Sequence, residues 1–278
     1  MQRVKCGMDL HSQAGLPERL AQCLLANEPA SKVALTRALW ATWQQGLVDT
    51  RADAPRTGIA MPGRPIKPSL ISPMQVPRRR LGSRAGHAAM IHAITHIEFN
   101  AINLALDAAH RFAGMPVAYY ADWLRVAAEE AQHFALLNQH LEYLGHAYGD
   151  FDAHDGLWEM AQKTTQDPLH RMALVPRVLE ARGLDATPAI TQKLQQIGDA
   201  RAVEILGIIA RDEIGHVAVG SRWFAYLCAQ RGLEPGATFR ALLDDYAIPL
   251  PRLPINIEAR RQGGFSDLEL AWLSTPAA

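Results

Sequence analysis

Two segments, Glu130-Ala131-Gln132-His133 and Glu213-Ile214-Gly215-His216, repeat the pattern Glu-x-x-His 83 residues apart. A lone glutamate precedes each: Glu98 lies 32 residues before Glu130, and Glu180 lies 33 before Glu213. Glu and His at i, i+3 share one helix face, so each pattern can offer two ligands to one point. Four carboxylates and two imidazoles turned into an apolar interior need a compensating charge, and bound cations supply it. With carboxylates in the majority and no thiolate, the set suits iron or manganese better than structural zinc. Glu98, Glu130, His133, Glu180, Glu213 and His216 are therefore the candidate ligands of a two-metal centre.

The acidic residues just before each motif glutamate, Glu129 and Asp212, have a supporting role open to them. A metal-bound imidazole commonly donates its second N–H to a carboxylate, which fixes its tautomer and orientation. Asp212 is expected to support His133 across the bundle, and Glu129 to support His216. A single Glu-x-x-His is ordinarily a solvated pair on a helix surface. Here the doubling, the matched glutamates and the apolar stripes carry the reading further.

Helices must position these groups. Ile91, Ile94, Glu98, Ala101, Ile102, Ala105 and Ala109 fall on one face at i, i+3, i+4 spacing, and so do Trp123, Val126, Glu130, His133, Phe134, Leu137 and Leu141. Gly114-Met115-Pro116 marks the turn between them, with Pro116 suited to a first helical turn. Glu98 and Glu130 lie 17 and 15 residues from Met115, hence at similar heights on antiparallel neighbours, about 22–25 Å from the hairpin. A third helix from near Pro168 carries Met172, Pro176 and Glu180, and Gly183 to Pro188 reads as a break with Thr187-Pro188 restarting it. After Gly198-Asp199 a long fourth helix presents Ile205, Leu206, Ile209, Glu213, His216, Val217 and Phe224.

The expected fold is all-α: a four-helix bundle with a long crossover over residues 87–232. Residues 1–48 form an N-terminal helical segment, 49–86 a Pro/Arg-rich arm, and 233–278 a C-terminal extension packed on the bundle. The arm has six prolines and eight Lys or Arg against two Asp. Its isolated apolar residues Ile59, Met61, Ile66, Leu70, Ile71, Met74 and Val76 favour wrapping onto the body. Ser266-Asp267-Leu268-Glu269 has the form of a capping box. His92, His96 and His110 read as structural; His140, His146, His154 and His170 read as surface or loop residues. Trp123, Tyr119 and Tyr120 read as core aromatics. Gly207, Gly215 and Gly220 allow either close helix contact or room beside the metals.

The 278 residues are 49% hydrophobic and 20% charged with a formal net charge of zero, which argues against a globally charged partner. Cys6, Cys23 and Cys228 have no C-x-x-C spacing, so neither a disulfide framework nor a zinc knuckle is expected. No apolar run approaches the roughly 20 residues of a membrane span. A cytoplasmic protein without a membrane partner is the expectation.

The Glu, Glu-x-x-His, Glu, Glu-x-x-His order resembles the ferritin-like di-iron carboxylate superfamily. Pro77-Arg78-Arg79-Arg80-Leu81, His96-Ile97-Glu98, Leu157-Trp158-Glu159-Met160, Val178-Leu179-Glu180-Ala181-Arg182-Gly183-Leu184-Asp185 and Ile255-Asn256-Ile257-Glu258-Ala259-Arg260 are similar to a bacterial ferritin-like family of unknown function. That family is related to the di-iron hydroxylase that modifies a tRNA base. The resemblance implies two iron ions (Fe/Fe or Mn/Fe) on the same six residues. In ribonucleotide reductase small subunits a radical tyrosine follows the motif histidine by about one turn. That place is Leu137 here, which argues against a stable tyrosyl radical.

Three functions compete. The first is a di-metal enzyme that activates dioxygen or peroxide and hydroxylates or otherwise oxidises a small molecule or a modified nucleoside, with an unidentified electron donor. The second is a ferroxidase or rubrerythrin-like protein without an organic substrate. A pocket leading from the surface to the metals would favour the first, a dry closed core the second. The third is a metal-stabilised module whose basic arm contacts RNA. Arginine clusters suit phosphate, but no aromatic residue in the arm can stack a base, which weighs against nucleic acid.

Overall fold

The computed structural model describes residues 14–49, 58–77 and 79–275. Cys6, Arg78 and the start of the arm lie outside the described residues. These form eleven α-helices and no strand: α1 (Leu16–Leu25), α2 (Pro29–Gln44), α3 (Arg84–Arg111), α4 (Val117–Tyr143), α5 (Gly156–Lys163), α6 (Pro168–Leu174), α7 (Ala181–Gln196), α8 (Ala200–Gln230), α9 (Pro235–Asp245), α10 (Ile257–Gln262) and α11 (Asp267–Leu273). A π-helical segment, Val175–Glu180, joins α6 to α7. None of these helices is long and apolar enough to cross a membrane.

The longest helices start and stop where local chemistry dictates. Ser83 caps α3 by accepting the Gly86 N–H, and Asp199 caps α8 by accepting that of Ala202. Gly114 (φ 74°) turns the chain out of α3 through the left-handed region, which glycine enters without a Cβ penalty. Pro116 stands at the N-cap of α4, one place before the expected first turn. α3 packs along α4, α8 packs on α4, α6 and α7, and the α1–α2 pair lies over α3 and α4. Ile91, Ile102, Leu137 and Leu141 of the predicted stripes are fully buried, each stabilising by about 1.5–3 kcal/mol over exposure. Tyr119, Tyr120 and Trp123 are core residues as well.

Three expectations need correction. The third helix does not break between Gly183 and Pro188. α7 runs through Pro188, and Thr187, instead of capping a new helix, donates its hydroxyl to Gly183 O. Pro188 removes one N–H from the ladder, and its exposed position leaves the helix otherwise intact. The irregularity sits earlier, as the π turn that ends on Glu180.

The arm does lie on the body, with Ile59 packed against the core, but not all the apolar side chains that suggested it take part. Ile66 is 100% exposed and Met74 96%. Backbone and arginine contacts hold the rest of the described part. Gly63 N donates to Leu24 O, Ile71 N to Ala153 O and Ala153 N to Ser69 O. Arg64 pairs with Asp155 at 2.9 Å, and Arg79 stacks over Phe151. Polar groups placed along an extended chain left no periodic signal to read.

His140 is not a surface residue. It is buried near the end of α4, with Nε2 2.7 Å from Asp199 Oδ2. His170 is partly exposed, as a surface residue would be, and in α6 its Nδ1 lies 2.9 Å from Tyr246 Oη. His92, His96 and His110, in contrast, are buried in α3. His92 accepts the Gly149 N–H and His96 bonds Tyr148, which are structural roles.

The C-terminal helices clasp α8 and the π segment. Arg177 is enclosed by Phe224, Phe239 and Phe265 at 4.8, 4.3 and 4.5 Å from their ring centres, and donates to Glu269 at 2.6 Å. Glu269 also completes the capping box of α11 with Ser266. Arg260 pairs with Asp185 at 2.6 Å, and Ser221 donates to Gly263 O. Gly220 allows this side of α8 to approach Pro176 so closely that a Cβ there would collide with the proline ring.

Candidate metal centre

All six predicted residues meet between α3, α4, the π segment and α8. Glu98, Glu130, His133 and Glu213 each offer a ligand atom within 4.8 Å of the others. His133 Nδ1 lies 3.2 Å from both Glu98 Oε2 and Glu130 Oε2. His216 Nδ1 lies 2.9 Å from Glu130 Oε1 and 3.8 Å from Glu213 Oε2. Glu130 thus stands between the two imidazoles, whose ring centres are 5.8 Å apart. Glu180, at the end of the π turn, faces Glu213, His216 and Glu130 through electrostatic interaction and hydrogen-bonds to none of them.

The outward nitrogens are held as the neighbouring acids suggested. His133 Nε2 lies 3.1 Å from Asp212 Oδ2, and His216 Nε2 lies 2.9 Å from Glu129 Oε2. Arg125, one turn before Glu129, fixes that carboxylate with two 2.9 Å bonds. Each acid is i−1 to a motif glutamate on its own helix and serves the histidine of the opposite helix. With Nε2–H donated outward, each Nδ1 lone pair turns inward, which is the tautomer a metal ligand needs.

Electrostatics show what the chain must do when protons alone compensate the charge. Burial, then the charge of Glu130, raises the Glu98 carboxyl far above its ordinary range. Burial and Glu213 do the same to Glu180, and burial and Glu130 raise Glu213. Burial opposes the charging of His133, yet Glu130 and Glu98 push it up to about 11. His216 is raised well above its usual value against the same penalty, chiefly by Glu130. Glu130 alone is depressed: the two imidazoles outweigh its burial. Five groups take up or keep protons around one carboxylate.

The donor set fits cations better than it fits itself. Glu130 Oε1, Glu180 Oε2, Glu213 Oε2 and His216 Nδ1 are buried without a hydrogen-bond partner. His216 Nδ1 and Glu130 Oε1 approach to 2.9 Å without the alignment of a hydrogen bond. Orphaned buried polar atoms are uncommon enough that each calls for a cause. Four of them on one site are what a bound cation would account for. The arrangement can hold a metal ion.

Glu98, Glu130, His133 and His216 are buried, whereas Glu180 and Glu213 are partly exposed. A cavity of about 390 Å³ lies further along α7 and α8, lined by Leu184, Thr187 and Thr191 of α7 and by Leu206, Gly207 and Ala210 of α8, among others, and by none of the six candidate ligands. Leu184, Thr187 and Thr191 follow Glu180 at +4, +7 and +11; Leu206 and Ala210 precede Glu213 by 7 and 3. The cavity therefore continues the stripes that carry these two glutamates. Gly207 has open space where a Cβ would stand. Gly207 thus answers to room near the site, and Gly220 to close contact.

Leu137 is buried in the smaller of two core clusters. A second convergence, His87, His140 and Asp199, was not visible in the sequence because its members are 53 and 59 residues apart and share no motif.

No solved structure was found to match the chain. A protein of Haemophilus influenzae (strain ATCC 51907 / DSM 11121 / KW20 / Rd), described as "Uncharacterized protein", is 54% identical over 216 residues, covering 75% of this chain and 75% of that protein. The family model "Protein of unknown function (DUF455)" matches residues 25–271. Nearly the whole chain, including both Glu-x-x-His motifs, their partner glutamates and the C-terminal helices, thus falls within that match, and the chain belongs to the DUF455 family.

Proposed function

We propose that this protein is a di-metal carboxylate oxidoreductase, holding two iron ions, or one manganese and one iron, in a ferritin-like four-helix arrangement of α3, α4, α6–α7 and α8. Glu98, Glu130, His133, Glu180, Glu213 and His216 hold the ions. The observation that carries this reading is the convergence of four orphaned lone-pair donors around Glu130, between two imidazoles already fixed from outside by Asp212 and Glu129. Bound iron would supply the redox chemistry that activates dioxygen or peroxide toward a neighbouring substrate, with a separate electron donor returning it to the reduced state.

The chain's own residues supply the rest. Glu130 approaches His133 through Oε2 and His216 through Oε1, so it would hold cations on both imidazole sides of the site. The inner carboxyls release their protons as ions enter, making binding a proton-for-metal exchange. Burial of Glu98, Glu130 and both histidines keeps water from the reacting face. Glu180 and Glu213 form the side open to a substrate.

A cavity on the two helices that carry Glu180 and Glu213 supports oxidation of an organic substrate over a ferroxidase or rubrerythrin-like role. No charged side chain lines the α7–α8 cavity, which fits an uncharged, mainly apolar molecule. The arm gives little support to RNA binding, since Arg64 and Arg79 are engaged by Asp155 and Phe151.

The test is anaerobic loading with iron(II) followed by mixing with oxygen, read by absorption and Mössbauer spectroscopy. A coupled pair of ferric ions forming in one kinetic phase is the expected result. Uncoupled, mononuclear ferric iron would overturn the proposal.

A further inference from the structure

At the far end of the same helices His87, His140 and Asp199 converge. His87 stands in the first turn of α3, His140 in the last turn of α4, and Asp199 is the N-cap of α8. His87 Nε2 lies 2.6 Å and His140 Nε2 2.7 Å from the same atom, Asp199 Oδ2. The other carboxylate oxygen, Oδ1, accepts the Ala202 N–H, so the side chain is held in place and Oδ2 is presented to the two rings. His140 Nδ1 is buried without a hydrogen-bond partner. Ligation through Nε2 would place the ring proton on this nitrogen, so the support for a metal here comes from the convergence of the three donor atoms and not from Nδ1.

We propose that these three residues form a second, mononuclear site for a divalent late transition-metal ion, zinc in the first instance. Two imidazoles and one carboxylate with a position open to solvent are a recurrent three-ligand set for zinc and for other ions that favour nitrogen. The three donor atoms lie within 4.8 Å of one another. With metal–ligand distances of about 2.0–2.2 Å in a tetrahedral site, neighbouring donors stand about 3.3–3.5 Å apart. Each ring must withdraw from Oδ2 by roughly 0.7 Å, a small rotation about the side-chain bonds at that tetrahedral spacing. His87 can make it readily: its side chain is 17% exposed and it sits at a helix end.

This site is separate from the buried glutamate cluster. His87 is 11 residues from Glu98 along α3, His140 is 7 from His133 along α4, and Asp199 is 14 from Glu213. At about 1.5 Å per residue these are axial distances of roughly 10–21 Å. All three run toward the same end of the bundle, because α4 is antiparallel to α3 and α8. A metal there would clip together the three helices that carry five of the six inner ligands. It would fix their relative heights without touching the reaction itself.

The experiment titrates zinc(II), and separately cobalt(II), into chelator-stripped full-length protein, with wild type, His87→Ala, His140→Gln and Glu130→Ala compared. Wild type is expected to bind one more equivalent of zinc than either histidine variant, with at least 100-fold weaker affinity for that equivalent in the variants. Cobalt should give a visible d–d band that His87→Ala abolishes and Glu130→Ala retains. If His87→Ala and wild type bind the same number of equivalents with the same affinity, the three residues are only a hydrogen-bonded clamp and the proposal fails. It fails equally if His87→Ala loses the Glu130-dependent equivalents together with helicity. His140 is buried, so should His140→Gln not fold, His87→Ala decides alone.

Discussion

Gly220→Ala and Gly207→Ala place the same methyl group on the same helix and should move stability in opposite directions. Either substitution removes a glycine from a helix interior, a gain of about 1 kcal/mol. At Gly207 nothing lies within 4 Å of the new Cβ, so that gain stands. At Gly220 the Cβ would come well under 3.0 Å from Cγ and Cβ of Pro176. A proline ring cannot rotate away, so the overpacking cost falls near the top of its range, about 3 kcal/mol, leaving a net loss of about 2 kcal/mol. At about 2–4 °C per kcal/mol for a chain somewhat smaller than this one, Gly220→Ala should lower the apo-protein midpoint by roughly 4–8 °C. Pro176 and Glu180 share the π segment, so displacing it should also weaken metal binding; Gly207→Ala should leave binding unchanged. Denaturant melts of both variants, with a Pro176→Gly/Gly220→Ala double-mutant cycle, read this out. A coupling energy of at least about 1 kcal/mol is expected. If Gly220→Ala is as stable as Gly207→Ala, the close contact does not set the position of the π turn and the reasoning is wrong.

Asp212→Ala leaves a partly exposed position and a folded protein, but should weaken metal binding by about 10–100-fold by releasing His133 Nε2; unchanged affinity in a competition titration would contradict this. The pH response of the metal-free protein has a definite sign. Glu98, Glu180 and Glu213 are raised above 4.5, and His133 (to about 11) and His216 above 6.5. Each raised group contributes stability that is fully present below its unfolded value and lost as pH rises through its folded one. Glu130, being depressed, acts in the opposite sense only below about 4.5. Lys32 (lowered to about 7) and His92 and His96 (lowered to about 4) oppose this trend, but the five raised groups outnumber them. Melting points should therefore fall as pH rises from about 5 to 9 without metal and fall less with it; a rising apo curve would refute the charge assignments. Glu269→Ala leaves Arg177 buried without its carboxylate and should cost about 3–5 kcal/mol, seen as a lower denaturation midpoint.

The inner ligands were legible because local rules govern them. Helical periodicity placed Glu98, Glu130, His133, Glu180, Glu213 and His216 on apolar faces, and the i−1 acids Glu129 and Asp212 reach the opposite histidines at 2.9 and 3.1 Å. The irregularity of the third helix was visible only as two prolines, and proline marks a missing N–H without saying how the backbone responds. Pro188 was absorbed by a continuous helix, while Pro176 lies in a π turn. The His87–Asp199–His140 convergence and the aromatic enclosure of Arg177 join distant segments. Those pairings are set by packing, on which the sequence carries no periodic signal.

The central claim is that two cations share Glu130. An anaerobic equilibrium titration with iron(II), counted per chain in wild type, Glu130→Ala and His87→Ala, tests it most directly. Two tightly held equivalents in wild type, absent from Glu130→Ala and intact in His87→Ala, are predicted. Iron uptake that is absent, or that Glu130→Ala leaves unchanged, would contradict it.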